Sequence, residues 1–385
     1  MSSRHGHGDA GRAGDAVAAG SVSDTGAPTA AGSPRVAVVG AAAVPGSRIL
    51  EVLCSAVAAR GDGPLPVAID RSRGRVDSAQ WRITDPATPA LVRALRDIDV
   101  AVWVAAETDL AGALRIRPGL RRERLVRTAQ TLVTAAAAAG VARVVVVTSA
   151  QVYGAAPDNP VPLPEDADLR GIRDAGIVGD LLAVEDVVAD ARRVHAGLGI
   201  TVMRPAALVG PAIDTVITRH FEAPRLLTVK GAEPAWQFCH IDDLAAGVRV
   251  VTAQDLGPVV TVGSPGWLSQ ERVESLTGMR RIQLSEAAAL GTASRLHRFG
   301  VLPAPASELA HALYPWVVDS ARLRAAGWAA AYDNETCVGV MLASITGRHA
   351  LAARRVDRKD AALGAASAAV ALVGTAAVLR RARRP

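Results

Sequence analysis

The chain has 385 residues, of which 50% are apolar and 21% are charged, so it can bury the core of one large domain or of two ordinary ones. That composition excludes a chain that is disordered throughout. The formal net charge is +6, but no aromatic residues interleave with the arginine clusters to stack on bases, so we expect no nucleic-acid partner.

Cysteine usage indicates the compartment. Cys54, Cys239 and Cys337 lie far apart, with no paired spacing. This pattern argues against a disulfide framework and against a thiolate metal site, so we expect no metal and a reducing, cytoplasmic location.

The first segment, residues 1–33, is rich in Gly, Ala, Ser and Asp and has no apolar periodicity. Such a segment cannot offset the entropy lost on ordering, so we predict a disordered tail. It contains no apolar stretch after a basic start, and we therefore expect no secretory signal.

From residue 34 to residue 345, short β-branched runs alternate with Ala- and Leu-rich helical stretches. The predicted strands are 36–39, 66–69, 80–83, 100–104, 143–148, 200–203 and 259–262. The predicted helices between them are 47–59, 89–96, 121–139, 177–198 and 241–252. This alternation predicts an α/β fold of the Rossmann type, a doubly wound parallel sheet with helices on both faces. The looser segments 211–235 and 263–345 are expected to form a small substrate cap, mostly C-terminal, over the carboxyl ends of the strands.

A glycine-bracketed turn follows the first predicted strand, from Gly40 to Gly46. Gly40 allows a tight turn, Gly46 allows the next helix to pack closely, and the exposed N–H groups would then face a pyrophosphate. The second predicted strand ends at Asp70, whose carboxylate could accept hydrogen bonds from both ribose hydroxyls of an adenosine. Arg71 and Arg73 follow at once and could instead bind a 2′-phosphate, so the pattern favours NAD and leaves NADP open.

The last segment, residues 346–385, is a basic and apolar tail. Within it, residues 361–379 carry no charge and are flanked by arginines on both sides. Their length fits about 30 Å of hydrocarbon, but alanine and glycine contribute little to insertion. The segment is therefore either a membrane anchor or a surface helix or frayed tail.

These landmarks, taken in order, resemble the extended short-chain dehydrogenase/reductases, the NAD-dependent epimerase/dehydratase family. The matching segments are 40–50, Asp70, 102–106, 145–154 with 164–166, 203–211 and 238–244, within a resemblance that covers roughly residues 35–328. In the first segment Ala43 stands where the family has its middle glycine. In the last segment we expect Asp242 or Asp243 to cap the helix that follows.

The resemblance implies an NAD cofactor and a small-molecule substrate, often a nucleotide sugar. The residues that it places at the cofactor are Gly40, Ala43, Gly46, Asp70, Arg71, Ala105, Ala106, Ser149, Arg204 and Pro205. It also implies a homodimer formed through a two-helix face, for which residues 121–139 and 177–198 are the candidates. Arg219, His220, Arg225 and Lys230 are either an anion-binding patch for a pyrophosphate or scattered surface charge.

One departure from the family affects the chemistry directly. The family transfers a proton through a tyrosine and a lysine one helical turn apart, with a Ser or Thr nearby. The resemblance places Ser149 at the Ser or Thr position. When Glu185 is aligned with the glutamate that usually follows on this helix, Ile177 and Leu181 stand at the tyrosine and lysine positions. Neither side chain can carry a proton, so Ser149 lacks its partners. Tyr153 is the nearest phenol, and it is either a catalytic substitute or a packed loop residue.

Three functions are compatible with these observations. The chain could be an NAD(P)-binding, epimerase/dehydratase-like protein whose oxidoreductase chemistry is absent or altered. It could be an active epimerase, dehydratase or reductase with a relocated acid/base group. It could also be an interaction protein that has lost the nucleotide site.

Overall fold

The computed structural model describes residues 33–299 and 304–345, together with the backbone of residues 350–351 and 354–355. The predicted disordered tail, apart from Ser33, and segment 361–379 lie outside the described residues.

A seven-stranded, fully parallel sheet forms the centre of the fold. Its strands are β1 (Val36–Val39), β2 (Val67–Asp70), β3 (Gln80–Ile83), β4 (Val100–Val104), β5 (Arg143–Val147), β6 (Gly199–Pro205) and β11 (Val259–Val262). Their spatial order is β11-β6-β5-β4-β1-β2-β3, so the order reverses between β1 and β4. In an open α/β sheet a ligand crevice lies at this reversal, beyond the carboxyl ends of the strands.

The sheet is buried on both faces, which is why its central strands are almost continuous runs of valine and alanine. Alternate side chains of β1 enter separate cores, with Val38 in one and Val39 in the other. Helices α1 (Gly46–Arg60) and α7 (Ile241–Ala253) pack together over one face, and α4 (Pro118–Ala139) and α5 (Ile177–Val194) pack together over the other.

The remaining helices are shorter. They are α2 (Leu91–Ala94), α3 (Leu110–Ala113), α6 (Val216–Glu222), α8 (Gln270–Thr277), α9 (Glu286–Arg298), α10 (Ala306–Leu309), α11 (Ala321–Ala325) and α12 (Asn334–Ile345). Two 3-10 helices cover Ala150–Tyr153 and Ala310–Ala312.

Short strands pair outside the central sheet. They are β7 (Ala207–Val209) with β10 (Phe238–His240), β8 (Leu226–Val229) with β13 (Arg281–Leu284), β9 (Ala235–Trp236) with β12 (Leu268–Ser269), and β14 (Ala350–Leu351) with β15 (Arg354–Arg355). Two of the four pairs, β8 with β13 and β9 with β12, fall in or at the edge of the segments predicted to form the cap. The cap residues Thr215 and Trp316 line the same crevice as Ser149.

The predicted Rossmann sheet is confirmed, with two local corrections. Helix α2 has only four residues because the rest of the predicted 89–96 segment forms turns. The expectation that Asp242 or Asp243 caps α7 is wrong. The His240 side chain accepts the N–H of Asp242 at the N-cap, while Asp243 accepts backbone N–H groups from residues 331 and 332.

Candidate functional site

The turn between β1 and α1 has the close packing that its glycines predict. Gly40 has a φ of 81°, in the left-handed region that favours glycine. A Cβ on Gly46 would lie 2.3 Å from the Gly40 carbonyl oxygen, so only glycine fits there without a shift.

The same turn presents free backbone donors. Within the described residues, the N–H groups of Ala43, Val44 and Gly46 donate to no backbone or side-chain acceptor. Pro45 has no N–H to offer. Converging N–H groups at the start of a helix form an anion-binding concavity, and α1 begins at Gly46.

Asp70 lies beside this turn, at the carboxyl end of β2. Its Oδ2 accepts the Ala42 N–H at 2.9 Å, and its Oδ1 accepts the Arg71 N–H at 2.7 Å. A carboxylate has about four acceptor positions, so Asp70 can still accept hydrogen bonds from a ligand. The Arg71 side chain pairs with Asp85 instead, with Nε and Oδ2 3.1 Å apart.

The crevice at the reversal of strand order is formed by the segments that follow β4 and β5. The N–H groups of Ala105 and Ala106 both donate to the Val147 carbonyl, at 2.8 and 3.0 Å, which fixes the end of β4 against β5. The Ser149 hydroxyl accepts the Gln151 N–H at 3.2 Å and approaches Gln151 Oε1 at 3.4 Å.

Ile177 and Leu181 line this crevice together with Ser149. The structure therefore brings together the three positions that the alignment assigned to the family's catalytic group. The other lining residues are Ala106, Glu107, Thr148, Gln151, Ala206, Ala207, Leu208, Thr215, Ile217 and Trp316, and the cavity that they leave is about 30 Å³.

Glu107 is the one lining residue of this crevice with an ordinary titratable side chain. Burial raises its pKa to about 6. Its Oε1 accepts the Asp109 N–H at 2.7 Å, which holds the carboxyl on the turn after β4. Sequence reasoning missed Glu107 because an acid after a strand is common, and only the fold places it beside Ser149.

Arg204, predicted to contact a cofactor, lies in a buried network instead. Its Nη2 is 2.5 Å from Glu185 Oε2 and its Nε is 3.1 Å from Oε1, while the Thr148 hydroxyl donates to Oε1 at 2.8 Å. The guanidinium lies 4.8 Å from the centroid of the Tyr153 ring. Pro205 is buried at the end of β6. The Arg204 side chain therefore joins β6 to α5 and is occupied within the protein.

The Tyr153 side chain is also engaged in contacts within the protein. Its ring is buried, and its hydroxyl donates to the Glu165 carbonyl at 2.7 Å. Burial raises its pKa. This placement supports the packed-residue interpretation of Tyr153, and we do not include it among the proton donors of the crevice.

The residues considered as an anion-binding patch do not form one. Arg219 is buried in an ion pair with Asp214, 2.7 Å apart. His220 stacks on Trp236, and burial lowers its pKa to about 4, so it is neutral at physiological pH. Only Arg225 and Lys230 are exposed.

The described residues offer neither a metal-binding cluster nor a membrane-spanning helix. They contain no cluster of three or more His, Cys, Asp or Glu side chains arranged to hold a metal ion. Among them, no helix combines the length and the apolar character needed to cross a bilayer.

Several solved structures share this fold. MoeE5 in complex with UDP-glucose and NAD has a TM-score of 0.58 at 23% identity, covering 81% of this chain and 98% of that one. A DesIV double mutant, a dTDP-glucose 4,6-dehydratase from Streptomyces venezuelae with NAD and DAU bound, has a TM-score of 0.60 at 19% identity over 81% and 97%. The UDP-N-acetylglucosamine 4-epimerase from Bacillus cereus has a TM-score of 0.53 at 19% identity over 81% and 99%. At these identities the likeness shows the fold alone.

Among curated sequences, uncharacterized proteins from Mycobacterium tuberculosis and Mycobacterium bovis are 26% identical to this chain over 195 residues. The match covers 50% of this chain, which spans about half (52%) of the length of these relatives. The sequence profile of the NAD dependent epimerase/dehydratase family matches residues 36–263, which is more than half of the chain. The chain therefore belongs to the NAD dependent epimerase/dehydratase family.

Proposed function

We propose that this protein binds an adenine dinucleotide of the NAD type at the carboxyl edge of its sheet and does not operate the proton relay of its family. The observation that carries the proposal is the position of Ile177 and Leu181, which line one crevice with Ser149. Neither side chain can donate or accept a proton.

Among the described residues, no tyrosine and no lysine lines the crevice. The Tyr153 hydroxyl is bound to the Glu165 carbonyl, and the sole lysine of the described residues, Lys230, is exposed in the cap next to β8. A tyrosine relay needs a nearby positive charge that lowers the pKa of the phenol. Burial raises the pKa of Tyr153 by more than the neighbouring Arg204 guanidinium lowers it.

The dinucleotide part of the proposal depends on the turn and on Asp70. Free N–H groups at Ala43, Val44 and Gly46 suit a pyrophosphate, and the Asp70 carboxylate suits an adenosine ribose. The pairing of Arg71 with Asp85 removes a cation that would bind a 2′-phosphate, which favours NAD over NADP.

Titration with NAD⁺ and NADH by isothermal calorimetry tests this binding. We expect Asp70→Ala to weaken both ligands by roughly 10- to 100-fold, since hydrogen bonds to a charged group contribute about 1.5–3 kcal/mol. Asp77→Ala is the matched control, because Asp77 is an exposed acid of the same loop, paired with Arg73. If neither dinucleotide binds the wild-type protein, the site is not a nucleotide site and an interaction role is the better explanation.

The missing relay is tested by restoring it. The double variant Ile177→Tyr, Leu181→Lys supplies the relay, with UDP-glucose as the first probe because MoeE5 was solved with it. NAD⁺-dependent turnover by this variant and not by the wild type would show that only the relay is missing, whereas inactivity of both is the result expected if the nicotinamide also stays outside the crevice. The wild-type protein should remain inactive in the same assay, which follows the sugar nucleotide product by chromatography. Turnover by the wild type that survives Ser149→Ala would contradict our placement of the reaction centre.

A specific observation favours one alternative, an active enzyme with a relocated acid/base group. Glu107 faces the crevice, and burial raises its pKa to about 6, near the range in which a general base is effective. In that case wild-type turnover would depend on an ionisation near pH 6, and Glu107→Gln would abolish it. A wild type without turnover at any pH would reject this alternative.

The surfaces of α4 and α5 and the state of the cysteines bear on assembly and location. We infer a homodimer through the exposed parts of α4 and α5, to be tested by sedimentation velocity. The three cysteines are free and buried, in keeping with a reducing compartment such as the cytoplasm.

A further inference from the structure

The crevice is very narrow at the end where a nicotinamide ring would lie. Its volume is about 30 Å³. A cavity needs about 10–15 Å³ to hold one water, and a dry cavity of about 150 Å³ is needed to take up benzene. The space beside Ser149 therefore suits one or two waters and is several times too small for a six-membered ring.

Four bulky side chains that line this crevice come from three parts of the fold. Ile177 and Leu181 project from α5, and Ile217 projects from α6 in the cap. Trp316 closes another side, and its Nε1 donates to the His311 carbonyl at 2.8 Å, which fixes the indole. These four side chains leave no free donor or acceptor for a carboxamide. The polar lining side chains are Glu107, Thr148, Ser149, Gln151 and Thr215, so the obstacle to a nicotinamide ring is the lack of space.

A chain of hydrogen bonds and one buried ion pair connects the cap to the turn after β1. The Thr108 hydroxyl donates to the Val44 carbonyl at 2.8 Å, and the Asp214 N–H donates to the Thr108 carbonyl at 2.9 Å. The Asp214 carboxylate accepts the Ala111 N–H at 3.0 Å and pairs with Arg219, and both side chains of this pair are at least 92% buried. Opening the crevice here would expose or separate a buried ion pair.

The carboxyl ends of β1 and β2, at the same edge of the sheet, offer polar groups to a ligand. Asp70 and the free N–H groups of Ala43, Val44 and Gly46 lie at the carboxyl ends of β1 and β2. They match an adenosine ribose and a pyrophosphate, so the residues fit one half of a dinucleotide and do not fit the other.

We propose that the protein recognises its ligand through the adenosine diphosphate moiety, so that ADP and ADP-ribose bind about as tightly as NAD⁺. This inference rests on the proposed nucleotide site and specifies which part of the ligand the site contacts. The nicotinamide end of a bound dinucleotide then remains outside the crevice beside Ser149.

Isothermal calorimetry on the full chain with ADP, ADP-ribose, NAD⁺ and NADH tests the inference. We expect dissociation constants of the four ligands within about threefold of one another, and saturation-transfer NMR should show contacts to the adenine protons of NAD⁺ but not to its nicotinamide protons. Binding of NAD⁺ tenfold or more tightly than ADP-ribose, or transfer to the nicotinamide protons, would overturn the inference while leaving the proposed nucleotide site intact. Absence of binding by all four ligands would overturn both.

A pair of truncations tests the steric cause. Ile177→Ala removes carbon atoms from the wall of the crevice and should raise the affinity for NAD⁺ relative to ADP-ribose by threefold or more. Val178→Ala is the matched control, because Val178 is the next residue of α5 but lines a separate cavity of about 210 Å³ beside His311. We expect the affinity ratio of Val178→Ala to equal that of the wild type. An unchanged ratio in Ile177→Ala would reject the steric explanation, and the ligand comparison on the wild type decides the inference even if a variant fails to fold.

Discussion

The buried ion pair between Glu185 and Arg204 allows a quantitative test of how the crevice is supported. The two side chains are only 5% and 7% exposed, and Glu185 accepts three hydrogen bonds, two from Arg204 and one from Thr148. Removing one member of a buried pair leaves an uncompensated charge, which typically costs about 3–5 kcal/mol. We therefore expect Glu185→Leu to lower the free energy of unfolding by about that amount.

Urea unfolding followed by tryptophan fluorescence measures this loss. With a slope of about 3 kcal/mol per molar urea, the midpoint of Glu185→Leu should fall by roughly 1–1.7 M. The double variant Glu185→Leu, Arg204→Met removes both charges and should recover most of the loss, because apolar replacements of a buried pair are often neutral. A single-variant loss below about 1 kcal/mol, or a double variant no more stable than the single, would refute this assignment.

Two further predictions concern the turn and the start of α5. Gly46→Ala places a Cβ 2.3 Å from the Gly40 carbonyl oxygen and should cost about 1–3 kcal/mol, read as a lower Tm, whereas Gly119→Ala meets nothing within 4 Å and should be close to neutral. Glu308 accepts the Ile177 N–H, and burial raises its pKa to about 7, so its protonated form is favoured by folding. The stability that this group contributes is therefore complete below pH 4.5 and declines as pH rises through 7, and Glu308→Gln should flatten the pH dependence of unfolding across that window.

The sheet could be predicted from the sequence because its signals are local. Strands buried on both faces require continuous apolar runs, and the valines of β4 and β5 meet that requirement. The glycine turn and the position of Asp70 could also be predicted, because each depends on the backbone geometry of a few neighbouring residues. The positions of Ile177 and Leu181 followed from an alignment anchored on Glu185, and the structure places them together with Ser149.

The narrowness of the crevice could not be predicted, because it depends on residues far apart in the chain. Trp316 and Ile217 come from the cap, and their distance from Ser149 is set by packing that no local pattern records. Two further residues could not be assigned correctly from the sequence, Glu107 because it was missed and Arg204 because it was expected at the cofactor. One is an unmarked acid that faces the crevice, and the other is an expected cofactor contact whose charge is neutralised by Glu185.

The two halves of this site can diverge separately because they are built from different parts of the chain. The turn at Gly46 uses backbone N–H groups and a close approach that the β1–α1 packing itself requires, so changes there affect folding as well as binding. The relay positions are side chains on α5, where Ile177 and Leu181 join the apolar surface that packs on the sheet. Replacing a tyrosine and a lysine by apolar residues at these positions adds buried surface and removes two polar groups that burial would penalise. Under the proposed function, a family member that no longer needs the relay can therefore lose it without loss of stability, while folding continues to select for the turn that we propose holds the nucleotide.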